Sequence, residues 1–343
     1  MPTLRNVLAG VAFIGMCLNV TGSCGTVFFS APFSQVEYWN LPTGSRIAYI
    51  RIPSNGANSI PLIFLHGGPG ACQVSHAEIG MPFYAKLAAK GFDVYLYDQI
   101  GGGLSSRLSD PRLYTVKRHV DDLEAIRKII GSRRMLLIGD SWGATLAANY
   151  MAAYPGTVIK AIFTSPGWID PSEVADAHDR QPHIPEEFLD WIARNHGDNT
   201  HRYRELDKLI RQDVVAAHRY ASDQEMDKLL DDFVNSVARF RAVHNTARAT
   251  EIEIQGMGWW SYVMTNWNAS AHSLGTRKIL SRDRTSVLIV RGDSDYLPPL
   301  AAEEYSLTFT NSKVAHVPNA GHFIWLDQPY AYRQTIEAFL SDK

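Results

Sequence analysis

The chain has 343 residues, 45% hydrophobic and 20% charged, the balance of a globular protein with a large core. A formal net charge of −2 and no long run of one sign leave no basic field for nucleic acid. Cys17, Cys24 and Cys72 sit in unlike contexts with no Cys-x-x-Cys pair, which indicates neither a disulfide framework nor a structural zinc site.

The N-terminus comes first. From Asn6 to Val36 there is no Lys, Arg, Asp or Glu, and NVLAGVAFIGMCLNV is nearly all apolar. Residues 1–30 read as a signal peptide or membrane anchor, with Thr21 and Ser23 before Cys24 as cleavage-site residues, which implies an exported, secreted or membrane-anchored protein. The alternative is a cytoplasmic protein whose N-terminal extension packs on the domain.

From Val36 onward, short apolar runs alternate with helical patterns. RIAYIRI, PLIFLHG, FDVYLYDQ, MLLIGDS, VIKAIFTS and SVLIVRGDSD are bounded by Gly, Pro, Asp or Ser, as strands buried on both faces are. Between them lie helices such as TVKRHVDDLEAIRKIIG, in which Val116, Val120, Leu123, Ile126 and Ile130 recur at helical spacing and Gly131 closes the element. The alternation predicts an α/β fold: a mostly parallel central sheet with helices on both faces. It stops over residues 170–283, which are helical and amphipathic throughout. That segment reads as an inserted helical lid over the C-terminal edge of the sheet, dividing a core of residues 36–169 and 284–343.

Gly139, Asp140, Ser141, Trp142 and Gly143 form G-x-S-x-G between a strand and the helix WGATLAANYMAAY. A serine on so sharp a turn is held in a strained conformation that lifts its Oγ out of the sheet, and the glycines give the chain room. A hydroxyl attacks only when a base takes its proton, so an acid and a histidine are needed, and in this arrangement both follow the serine. Asp295 and Asp293 lie past the last strand in IVRGDSDYLPP. Asp295, deeper in the loop and backed by Pro298, is the better orienting acid, and Asp293 the better turn cap. His322, after Gly321 in a loop before the last helix, is preferred as base over His316, which lies in an extended run and reads as a packed strand residue. The amides of Gly68, in FLHGGPG, and of Trp142 are the candidate oxyanion donors, and His66 reads as a structural histidine holding that loop.

HGGPG, YDQIGGGLS at Tyr97–Ser105, GDSWGATLA, GDSDYLP and AGHF, in this order, resemble the proline iminopeptidase branch of the α/β-hydrolase fold family. The resemblance spans the core on both sides of the lid. It implies a serine hydrolase that removes an N-terminal residue from a short peptide or aminoacyl amide without metal or organic cofactor, with Ser141, Asp295 and His322 as its triad. Where many members carry an arginine this chain has Ile100, and Gly102 stands in place of a cysteine or serine. The family's peptidases read the substrate's amino group with lid glutamates. The corresponding stretch here, IQGMGWWSYVMTNWN, holds Trp259 and Trp260 and no acid. Glu251 and Glu253 are nearby candidates for that role, with Glu186, Glu187 and Glu205 as other lid acids. If the tryptophans line the pocket instead, an esterase or lactonase for a small apolar substrate is expected.

Overall fold

The computed structural model describes residues 35–342, apart from 57–58, 177–180, 198–199 and 274. The leader expected at residues 1–30 lies outside the described residues. Among the described residues no helix is long and apolar enough to cross a membrane.

Eight strands form one sheet: β1 Glu37–Asn40, β2 Arg46–Ile52, β3 Ile60–Leu65, β4 Phe92–Tyr97, β5 Met135–Asp140, β6 Val158–Thr164, β7 Ser286–Gly292 and β8 Ser312–Val317. Their order is β1-β2-β4-β3-β5-β6-β7-β8. The strands from β4 to β8 in that order pair in parallel, whereas β1–β2 and β2–β4 are antiparallel. The central runs are buried on both faces, as their unbroken apolar sequence requires. RIAYIRI departs from the expectation: β2 is antiparallel and exposes Arg46 and Arg51. SKVAHV, the outer strand β8, is largely exposed, and His316 on it is exposed rather than packed.

Alternation along each strand feeds two cores. Ile63, Leu65 and Leu137 point to one face, packed against Leu123 and Ile126 of α2 (Val116–Ile130) and Leu146 and Tyr150 of α3 (Trp142–Ala153). Leu62, Phe64 and Ile138 point to the other, against Phe83 and Leu87 of α1 (Ala77–Ala89) and the C-terminal helix Pro329–Ser341. The boundaries of α2 follow local chemistry. The Thr115 hydroxyl accepts from the Arg118 amide at 3.1 Å, and Gly131 ends the helix at φ 76°.

Between β6 and β7 every regular element described is helical: a 3-10 turn over Pro171–Glu173, α4 Glu186–His196, α5 Thr200–Gln212, α6 Val214–Tyr220, α7 Asp223–Phe233, a π-turn over Val234–Ala238, α8 Arg239–Arg241, a 3-10 turn over Thr246–Glu251, α9 Trp259–Ala271 and α10 Thr276–Leu280. β6 and β7 are neighbours in the sheet, so the helices are an insertion into one crossover. After β7 come α11 Pro299–Thr308, α12 Ile324–Asp327 and α13 Pro329–Ser341.

The turn from β5 into α3 tolerates no bulk. A Cβ on Gly143 would collide with the Leu65 carbonyl oxygen, and one on Gly139 with the Gly143 carbonyl oxygen. Both obstacles are backbone and cannot swing aside. Gly143→Ala is therefore expected to lose about 1–3 kcal/mol or more of stability, measured by urea unfolding.

Candidate active site

Ser141 sits where β5 hands over to α3, and its backbone is left-handed, φ 54°. Its amide donates to the Thr164 carbonyl at 2.9 Å, and its carbonyl accepts from Ala144 at 3.0 Å and Gly167 at 3.1 Å, so the strained turn is held from three sides. Trp142, the next residue, begins α3, where backbone amides have no acceptor within the helix. Opposite, Gly67 and Gly68 line the same cavity as Ser141, and Gly67 leaves only 3.0 Å between a Cβ placed on it and the Ser141 Cβ.

Across the sheet edge, His322 Nδ1 lies 2.8 Å from Asp295 Oδ1, both side chains buried. A carboxylate on Nδ1 places the proton there and leaves Nε2 as the basic nitrogen. Burial pushes the Asp295 carboxyl up, but the hydrogen bond and charge of His322, with the Leu297 amide, outweigh it and hold the group below the usual carboxylate range. The loop that carries the acid is fixed by Arg291, a buried guanidinium that donates to the carbonyls of Gly292, Asp295 and Leu297. His322 is fixed by Ser165, whose hydroxyl donates to the His322 carbonyl at 2.8 Å and whose own backbone is left-handed, φ 43°. Sequence reasoning named neither: a serine at a strand end and an arginine inside a strand carry no pattern that marks them.

The glycine loop is held by the two residues that follow β4. His66 Nε2 accepts from the Gln99 amide at 2.8 Å, which leaves Nδ1 to donate to the Gly67 carbonyl. Burial pushes this imidazole down, so it is neutral. The Gln99 side chain donates to the His66 carbonyl at 2.9 Å and accepts from the Trp142 indole at 3.1 Å, joining the two candidate oxyanion segments. Asp98, fully buried, accepts from the amides of Gln73, Val74 and Leu104.

The cavity that contains Ser141 and His322 measures about 640 Å³. Tyr296, its ring tilted against the His322 ring at 4.6 Å, forms part of its wall, and Leu230, Phe233 and Ile254 of the insertion line it too. Trp259 and Trp260 do not, contrary to the expectation. Trp259 is fully buried against Phe188, at 4.7 Å, and Trp260 packs against His218, at 5.2 Å, because the first turn of α9 is turned into the helical insertion. Tyr262, further along α9, reaches the wall instead. Of the two glutamates put forward, Glu253 does not line the cavity, though its carbonyl meets His76 Nε2 at 2.8 Å. Glu251 does line it, paired to Arg248 at 2.9 Å, and so does Glu187, paired to Arg241 at 2.6 Å.

A carboxyl that sequence reasoning passed over also lines the cavity: Asp140, beside the serine, which accepts from the Thr164 hydroxyl at 2.8 Å and is driven above the usual range by burial.

Residues 60–329 match the family model for the alpha/beta hydrolase fold, and the chain belongs to that family. Its relatives include the proline iminopeptidase of Heyndrickxia coagulans, 26% identical over 87% of this chain and 96% of that one. The proline iminopeptidase of Lactobacillus delbrueckii subsp. bulgaricus is 27% identical over 89% and 98%. Among solved structures, a thermophilic esterase from Thermogutta terrifontis superimposes with a TM-score of 0.61 at 17% identity, over 90% of this chain and 98% of that one. The proline iminopeptidase of Mycobacterium smegmatis does so with a TM-score of 0.56 at 20% identity, over 89% and 97%. At these identities the structural likeness speaks for the fold.

The two acids of the site titrate with opposite sign. Folded Asp140 holds its proton more tightly than the unfolded chain, so its contribution is fully present below 3.8 and is lost as pH rises through the raised value. Asp140→Asn removes that loss, and its melting-temperature advantage is expected to grow from about pH 4 to 8. The stabilisation from Asp295 is present above 3.8 and is lost as pH falls through the lowered value. Asp295→Asn is expected to lower the melting temperature by a constant amount from about pH 8 to 4, with the deficit shrinking only in melts carried below pH 3.8.

Proposed function

We propose that this chain is a serine hydrolase working by acyl transfer to water, with Ser141 as nucleophile, His322 as base and Asp295 as its orienting acid. The observation that carries the reading is the 2.8 Å His322–Asp295 contact opening onto the same cavity as a serine in a left-handed strand-to-helix turn. Ser141 Oγ attacks the substrate carbonyl carbon while its proton passes to His322 Nε2. The tetrahedral oxygen is met by the amides of Gly68 and Trp142. When the bond to the leaving group breaks, His322 returns the proton to it. Water, deprotonated by His322, then attacks the acyl ester and releases the acid, and Ser141 recovers its proton. The helical insertion of residues 170–283 serves as the lid of this site.

The substrate that fits best with the relatives is a short peptide or aminoacyl amide from which the N-terminal residue is released. Glu187 and Glu251 are then the carboxylates available to its ammonium group. A second reading, an esterase or lactonase, is favoured by one observation: both glutamates are already paired with arginines, and an unmatched ammonium would cost several kcal/mol to bury.

Ser141→Ala and His322→Ala are expected to reduce kcat by about 10⁴–10⁶, and Ser141→Ala to abolish labelling by a fluorophosphonate probe; wild-type turnover in either would remove that residue from the mechanism. The peptidase reading predicts that prolyl amide is cleaved and N-acetylprolyl amide is not. Cleavage of acyl esters alone would select the second reading.

A further inference from the structure

The charged groups of the cavity wall are not evenly matched. Arg241 holds Glu187 and Arg248 holds Glu251, while Asp140 is turned to Thr164. Arg239 lines the same wall, and among the described residues no carboxylate lies within 4.0 Å of it. It is partly buried at the first position of α8, directly after the π-turn, and its guanidinium lies 5.2 Å from the Phe240 ring.

The manner in which its donors are used is specific. Nη1 is engaged, donating to the Ile252 carbonyl at 2.6 Å and to Asn235 Oδ1 at 3.3 Å. The Ile252 bond ties α8 to the chain that leads into α9, and together with the bond back to Asn235 in the π-turn it fixes the plane of the guanidinium. Nε is buried and meets no acceptor, and Nη2 donates to none of the described residues. Nε is closed off even from water, so Nη2 is the end of the group left open, a charged donor for an anionic oxygen. A guanidinium on the cavity wall that has no carboxylate near it and keeps Nη2 without a partner among the described residues is arranged to take an anionic ligand through that nitrogen.

We infer that Arg239 is a specificity residue that receives a carboxylate carried by the substrate itself. This deepens the hydrolase reading and rests on it: the substrate has an acyl bond for Ser141 and an anionic end for Arg239. For a peptide the anionic end is the free C-terminus, which restricts the substrate class to peptides short enough to keep both ends inside a cavity of about 640 Å³. For an ester it is the second carboxyl of a half-ester.

The test uses matched pairs that differ only in the carboxylate: prolyl-glycine against prolyl-glycinamide, and monomethyl glutarate against dimethyl glutarate. Each is measured by turnover and by protection of Ser141 from the fluorophosphonate probe. Wild-type protein is expected to favour the free acid by roughly tenfold to a hundredfold in kcat/KM, mostly through KM. In Arg239→Gln the ratio of acid to capped substrate falls to about one, and Arg239→Lys, which keeps the charge on a compact ammonium that does not reach the position of Nη2, lies between. Probe labelling of each variant verifies a folded site, and the lysine variant carries the test if the glutamine variant does not fold. Arg333→Gln, which alters the other lining arginine without an ion pair among the described residues, leaves the ratio at its wild-type value. If the ester pair is turned over and the peptide pair is not, the peptidase reading falls while the ratio within the ester pair still reports on Arg239. No preference for the acid in either pair, no better protection by the acid, or a preference retained in Arg239→Gln would each overturn the inference.

Discussion

The turn at Ser141 is the constraint around which the rest of the site is arranged. One residue must end β5, start α3 and present a hydroxyl, and only a left-handed backbone does all three. Such a conformation costs of the order of 1–3 kcal/mol and persists where its surroundings over-determine it. Here the surroundings do: α3 is buried along almost its whole length, and Gly143 lies directly against the end of β3. With the serine fixed by backbone, His322 and Asp295 need only be brought to the same edge of the sheet. β6 and β7, the next strands along, bring them there through Ser165 and Arg291.

The two residues after β4 have an equivalent part on the other side. Asp98 and Gln99 make no approach to a substrate, yet their side chains gather the glycine loop, the segment before α1 and the Trp142 ring. A buried carboxylate satisfied by three backbone amides is a rigid joint, since moving any one amide leaves a charge short of a partner. This is the physical content of the Asp-Gln pair that follows the fourth strand: it positions the loop that Gly67 and Gly68 occupy.

The sequence made the central strands plain because a strand covered on both faces is an unbroken apolar word, and α2 was plain because both its caps are local. The extended run at His316 was legible as β8 but its burial was not, because its outer position leaves Lys313 and His316 in solvent. The order Ser141, Asp295, His322 was legible from loop and strand context, and the structure brings the latter two into contact. Trp259 and Trp260 were misjudged because nothing in a local pattern tells which side of a helix faces a cavity and which faces another helix. The same blindness concealed Arg239. Its significance lies in which of its nitrogens are already occupied, and that is a property of Asn235 and Ile252 as much as of the arginine.

At the root of α9 the insertion meets the core main chain to main chain. The Gly258 amide donates to the Gly70 carbonyl at 2.7 Å, the Gly103 amide donates to the Gly256 carbonyl at 2.7 Å, and a Cβ on Gly258 would strike the carbonyl of Gly101. Most tight contacts between side chains can drift over generations, since a larger residue on one side is accommodated by a smaller one on the other. This seam has no such exchange available, for both sides already carry the smallest residue there is. The root of α9 is thereby a fixed point in sequence space, and variation that reshapes the chamber is channelled into α4 through α8, the stretch that holds Glu187 and Arg239.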